Sequence, residues 1–185
     1  SMPMRRQVIR KIREWQADIV LGPRPNDYHP DHRYTGVLVQ DAAYMVTVPN
    51  VVTDTLALRR NPVFLYFSDG FTRPQPFRPD IVVAIDAVLD KKIDMLDAHV
   101  SQMYEWLPWH AGRLAEVPKD PAARKKWLGA QRPSRVPPEW KQSLEKWYGA
   151  QAGTVQHAEA FEITEYGRRP DEAEIRRLFP FFPER

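Results

Sequence analysis

Three short apolar runs constrain this chain more than any other feature: Asp18-Ile-Val-Leu-Gly22, Pro62-Val-Phe-Leu-Tyr-Phe67 and Asp80-Ile-Val-Val-Ala-Ile85. Each is bounded by Gly, Pro or Asp, and none alternates polar with apolar residues as a half-exposed strand would. Continuous β-branched runs of this length suit strands buried on both faces. Helical periodicity lies between them. Residues 5–16 place Val8, Ile9, Ile12 and Trp15 on one face, and residues 34–48 repeat Val37, Leu38, Ala42, Met45 and Val46 at three- and four-residue spacing. A further helix over 87–106 is expected to turn Val88, Ile93, Leu96 and Val100 inward. Helix, strand, loop, helix is the order of an α/β unit, so the expected fold is α/β with a mainly parallel sheet and flanking helices.

The chain has 185 residues, 43% of them hydrophobic, enough for one substantial core, so a single domain over 1–185 is expected. Residues 113–150 shift to charged composition with Trp127, Trp140 and Trp147. They read as a helical insertion, with helices near 121–131 and from Pro137-Pro138 onward. A strand over 155–164, a short helix over 170–179 and an apolar tail docking on the core complete the expected elements. Lys and Arg number 27 against 24 acids and are interspersed, without the basic block and interleaved aromatics of a nucleic-acid binder. No cysteine is present, so disulfides and thiolate ligands are excluded. No apolar run approaches the roughly 20 residues of a membrane span. With no signal-peptide core either, a cytoplasmic protein is expected. Glycine-rich phosphate loops are missing as well, which argues against nucleotide binding.

The first strand hands over to Arg24-Pro-Asn-Asp-Tyr-His-Pro-Asp-His-Arg33, which packs two imidazoles and two carboxylates between strand and helix. Open α/β sheets bind ligands outside the carboxyl ends of their strands, where this loop falls. Asp31 is of N-cap type, which puts His32 in the first helical turn. His29 and His32 are three apart across a proline, so they can face one cavity in different directions. That suits one metal ligand and one acid/base. The same residues also read as a surface turn, with Asp27 and Asp31 capping the helix and both histidines in water.

Four other places carry candidate chemistry. Asp69, Phe71 and Arg73 follow the second strand and are placed to line a sugar pocket. His99 and Gln102 share a helix face, a pattern that a buried histidine satisfied by a carbonyl also explains. Trp106-Leu-Pro-Trp109, before His110, reads as a sugar-stacking patch or a core plug. Glu159 lies in an apolar strand and needs a partner: Arg168, Arg169 or a substrate hydroxyl.

Tyr28-His-Pro-Asp-His32, set between an apolar strand and a helix, resembles the second motif of the PIG-L (LmbE-like) family of zinc-dependent N-acetylglucosaminyl deacetylases. Asp80-Ile-Val-Val-Ala-Ile-Asp86, Lys91-Lys92, His99-Val-Ser-Gln102, Ala158-Glu-Ala-Phe161 and Arg168-Arg-Pro170 follow in the family's order. The resemblance implies a Rossmann-like fold, zinc as cofactor, and an N-acetylated amino sugar or related amide as substrate. By it, His32 is a zinc ligand and His29 the histidine that stabilises the oxyanion or protonates the leaving amine. Asp31 becomes the carboxylate that orients a neighbouring histidine. Tyr28, His99 and Gln102 are expected to contact substrate, together with Arg73 and Glu159.

The family's first motif, His-Pro-Asp-Asp, supplies two further zinc ligands and the base, and it does not occur in this sequence. None of His99, His110 and His157 is followed by Pro-Asp. The expected sheet therefore lacks the family's N-terminal unit, leaving a strand edge for a second copy or a complementing N-terminal chain to cover. The expected function is a zinc-dependent deacetylase that this chain completes only with such a partner. The alternative is a catalytically inactive, deacetylase-like domain for carbohydrate binding or protein interaction.

Overall fold

The computed structural model describes residues 1–131 and 135–183. The first helix, α1 (Met2–Trp15), stops because Gln16 turns left-handed at φ 49°, its N–H returning to Arg13 O while Ala17 N–H returns to Ile12 O. That reversal feeds β1 (Ile19–Gly22). α1 buries Ile9 and Ile12, but Trp15 is 82% exposed and Arg13 takes the inward place. The Arg13 guanidinium donates to the carbonyls of Met45, Val46, Val48, Val51, Val52 and Thr55. It thereby ties off the C-terminus of α2 (Pro30–Met45), whose last carbonyls have no partner inside the helix. Burial pulls the pKa of Arg13 down, and Asp54 opposes this.

β2 (Val63–Phe67) runs parallel to β1, with Ile19 opposite Val63 and Gly22 opposite Tyr66. β3 (Ile81–Ala84) does not join them directly. β4 (Ala158–Ile163) inserts antiparallel to both, giving the order β1-β2-β4-β3. The sheet is therefore mixed, with one parallel and two antiparallel pairings, and the expectation of a mainly parallel sheet is corrected. The reason is the return path. Ile85, just past β3, donates its N–H to His157 O at 2.9 Å, so the intervening helices leave and re-enter at one end of the sheet. A strand that starts there runs backwards.

The single helix expected over 87–106 is divided. A 3-10 turn leads into α3 (Leu89–Asp97), and a π-helical turn over Ser101–Trp106 runs into α4 (Leu107–His110). Val88 and Val100, expected inward, are exposed. Tyr104 is the buried residue of the π turn; burial, then its bond to Asp97 (2.6 Å), pushes its phenol up to about 12. α5 (Pro121–Gln131) packs on α3. α6 (Lys141–Tyr148) seals the outer side of β3: Trp147 Nε1 and Ser143 Oγ donate to Asp80 O, and the Tyr148 hydroxyl accepts from Ala84 N–H. After α7 (Glu172–Leu178), the tail docks on the core as expected, Phe182 stacking on Trp147 at 5.0 Å. Among the described residues no helix is long and apolar enough to cross a membrane.

Candidate active site

The loop between β1 and α2 is held tightly against its own helix. A Cβ on Gly36 would come 2.6 Å from Pro23 O, so glycine is what lets α2 close on residues 23–25. His29, not Asp31, is the N-cap: its Nδ1 accepts the Asp31 N–H at 3.2 Å, and Pro30 takes the first helical position, where a missing N–H costs nothing. His32 does fall in the first turn. Asp31 is exposed, its Oδ2 3.9 Å from His29 Nδ1 and so beyond hydrogen-bond reach. The carboxylate that organises the loop is Asp27, whose Oδ1 accepts His29 N–H at 2.8 Å and lies 3.1 Å from His32 Nδ1. The two imidazole centroids are 4.9 Å apart, and the exposed Tyr28 ring stands edge-on to both.

These contacts assign the tautomers. A backbone N–H can only donate, so His29 Nδ1 carries its lone pair and the neutral ring carries its proton on Nε2. An ionised carboxylate can only accept, so His32 Nδ1 carries the proton and Nε2 is left as a lone pair. The pair thus offers one donor and one acceptor or ligand side by side.

Arg24 fixes this loop to the one after β2. It is 3% exposed, and its guanidinium grips both oxygens of Asp69, through Nε at 2.7 Å and through Nη2. It also donates to Phe71 O at 2.7 Å and Gln75 O at 2.9 Å. Asp69 accepts the Phe71 N–H, and Asn26 Nδ2 reaches Arg73 O. The Asp69 hydrogen bond raises the pKa of Arg24 against the opposing effect of burial. Sequence reasoning passed over Arg24, whose one signal is an arginine held between two prolines.

The remaining expected residues are spread out. Arg73 is exposed and joins the loop through its carbonyl. His99 and Gln102 are exposed at the break after α3, and among the described residues no hydrogen bond or ring contact links them to the imidazole pair. Glu159 pairs with Lys92 at 2.6 Å. The expectation of Arg168 or Arg169 is corrected, since they lie past the other end of β4 and pair with Glu174 and Glu165. Trp106 stacks on Trp109 and on His110, both indoles exposed. A second imidazole–carboxylate contact, His157 Nδ1 to Asp86 at 2.8 Å, also went unnoticed in the sequence; the aspartate closing the third apolar run was its signal.

A catalytic zinc takes three protein ligands and an open position. Among the described residues no group of three or more His, Asp or Glu could hold a metal ion. His32, with Asp27 behind it, fits one ligand position in the usual carboxylate–histidine arrangement. The donors among the described residues do not close the site.

No family model matches the sequence. Solved structures do. N,N'-diacetylchitobiose deacetylase from Pyrococcus horikoshii, complexed with its inhibitor MPG, is 18% identical with a TM-score of 0.54, over 89% of this chain and 52% of that one. The conserved protein TT1542 from Thermus thermophilus is 18% identical with a TM-score of 0.56, over 92% and 62%. GalB, the 4-carboxy-2-hydroxymuconate hydratase from Pseudomonas putida, is 16% identical with a TM-score of 0.58, over 93% and 62%. At these identities the likeness is one of α/β fold, and this chain spans between half and two thirds of each matched structure's length. A deacetylase and a hydratase share the fold, so the chemistry has to be argued from the site.

Proposed function

We propose that this chain contributes to a hydrolase of deacetylase type, cleaving an N-acetylated amino sugar or related amide. The observation that supports this is the imidazole pair beside Tyr28, in which His29 Nδ1 accepts a backbone N–H and His32 Nδ1 meets the Asp27 carboxylate. His29 Nε2–H is the hydrogen-bond donor that stabilises the oxyanion. His32 Nε2, fixed by Asp27, is one ligand for zinc, which supplies Lewis-acid chemistry when bound. The other ligands and the base come from outside this chain, from a complementing chain or a second copy.

Zinc affinity, measured by competition with a chromophoric chelator, and acetate release from N-acetylglucosamine, both read on the assembly that completes the site, test the two roles. His32→Ala is expected to weaken zinc binding at least about tenfold. His29→Ala is expected to leave zinc affinity unchanged and cut acetate release by about 100-fold or more. Unchanged zinc affinity in His32→Ala overturns the ligand role, and undiminished turnover in His29→Ala overturns the donor role.

A further inference from the structure

At the end of the sheet away from the histidines, a cavity of about 600 Å³ opens between the end of α1, residues 55–62 and Arg168. Asp18 and Pro62, where β1 and β2 begin, line it, whereas the histidine loop follows Gly22, where β1 ends. Its volume is within the usual range for small-molecule pockets. Four arginines, Arg13, Arg59, Arg60 and Arg168, line it together with two acids, Glu14 and Asp18.

Neither acid is free to balance the arginines. Glu14 holds Lys11 at 2.6 Å and Asp18 faces Arg177 at 3.5 Å, and both of these cations stand outside the lining. Arg60 and Arg168 share one carboxylate. Glu174 meets Arg60 Nη2 at 2.8 Å and Arg168 Nη1, with Arg177 Nη2 at 3.5 Å as a third claimant. The bonds of Arg13 all go to carbonyls, and Asp54, the acid in its field, is bound by Arg10 at 2.7 Å. Arg59 is exposed and, among the described residues, has no hydrogen bond or ion pair. The charges of Arg13 and Arg59 are therefore left over.

That surplus selects the ligand. A neutral molecule leaves it in place, a cation adds to it, and an anion removes it. Arg13, 3% exposed, contributes its field alone, while Arg59, Arg60 and Arg168 offer N–H groups. A guanidinium has five, and Arg60 gives one to Glu174. These donors come from two separate segments, so a tetrahedral head with acceptor oxygens in several directions suits them better than a planar carboxylate. A phosphate monoester brings three such oxygens and a charge of about −1.5 to −2 near neutral pH. We propose that this cavity binds a small dianionic phosphate monoester, held by Arg59, Arg60 and Arg168 in the field of Arg13. The site lies at the other end of β1 from the imidazole pair and does not depend on the deacetylase reading.

Chemical-shift titration of the whole chain with phenyl phosphate tests this, beside phenyl sulfate, of the same shape with one charge fewer, and phenol, with none. Well above the phosphate pKa of ~6, where the ester is a dianion, phenyl phosphate is expected to bind at least about fivefold more tightly than phenyl sulfate, with phenol weakest. Shifts are expected at residues 55–61 and 168, and not at 27–33. Arg59→Gln removes a side chain with no partner among the described residues, so the fold is kept, and phenyl phosphate affinity is expected to fall at least about fivefold. Phenyl sulfate or phenol binding as tightly as phenyl phosphate overturns the proposal. So does wild-type affinity in Arg59→Gln, a set of shifts centred on the histidine loop, or no binding by the wild type.

Discussion

His29 and His32 stand three residues apart, as do His99 and Gln102, and the fold treats the two pairs in opposite ways. The first pair lies on a loop where each histidine has a dedicated hydrogen-bond partner. His29 caps a helix, Asp27 takes one N–H from each histidine, and the Arg24–Asp69 clasp anchors the loop to its neighbour. The second pair lies where α3 gives way to a π turn, exposed, and among the described residues His99 has only helix-type backbone bonds. Spacing decides which side chains can share a face, but a dedicated partner decides whether they hold one geometry. On this account the first pair is preorganised and the second is free to turn.

The contrast breaks most visibly at the clasp. Arg24→Ala leaves Asp69 without its cation and frees the loop, and is expected to cost about 3–5 kcal/mol in denaturant unfolding. The imidazole signals of His29 and His32 should move together toward those of solvated histidine. Intact histidine signals in a folded Arg24→Ala protein would show that the clasp does not order the pair. A smaller effect is expected at the cap. His29→Ala should cost about 1 kcal/mol, and His29→Asn should recover most of it, since asparagine caps well. Equal stability of both variants would remove His29 from the capping role. Least affected should be the second pair. His99→Ala and Gln102→Ala are expected to stay within about 0.5 kcal/mol of wild type and to leave the His29 and His32 signals unmoved. A larger effect there would erase the contrast.

Much of the scaffold is readable from local pattern. The three apolar runs became β1, β2 and β3, the proline at position 121 marked the start of α5, and the aromatic tail found the core. The order of the strands was hidden, because the direction of β4 depends on where a long helical excursion returns, which no local window contains. The helix over 87–106 was overextended because apolar periodicity continues through a segment that changes hydrogen-bond register at Ser101. On α1, periodicity alone favoured Trp15 inside over Arg13; the carbonyls that satisfy Arg13 come from a turn more than thirty residues away.

The site was half legible for the same reason. Type and spacing located His29 and His32, but the sequence offered two aspartates for one orienting role. Asp31 looked like the cap, and histidine is not a residue that cap preferences favour. Once His29 caps, Asp31 faces water and Asp27 is left to hold His32. The clasp joins residues 45 apart, so it has no local signature.

The most direct test of the central claim is the protonation pattern of the two rings. Long-range ¹H–¹⁵N correlation spectra should be recorded over a pH series and read on the alkaline plateau, where the ring nitrogen shifts no longer change with pH. Opposite tautomers are predicted, with the proton on Nε2 in His29 and on Nδ1 in His32. The same tautomer in both rings, or rapid averaging of His29 and His32 alike, would contradict a preorganised donor–acceptor pair.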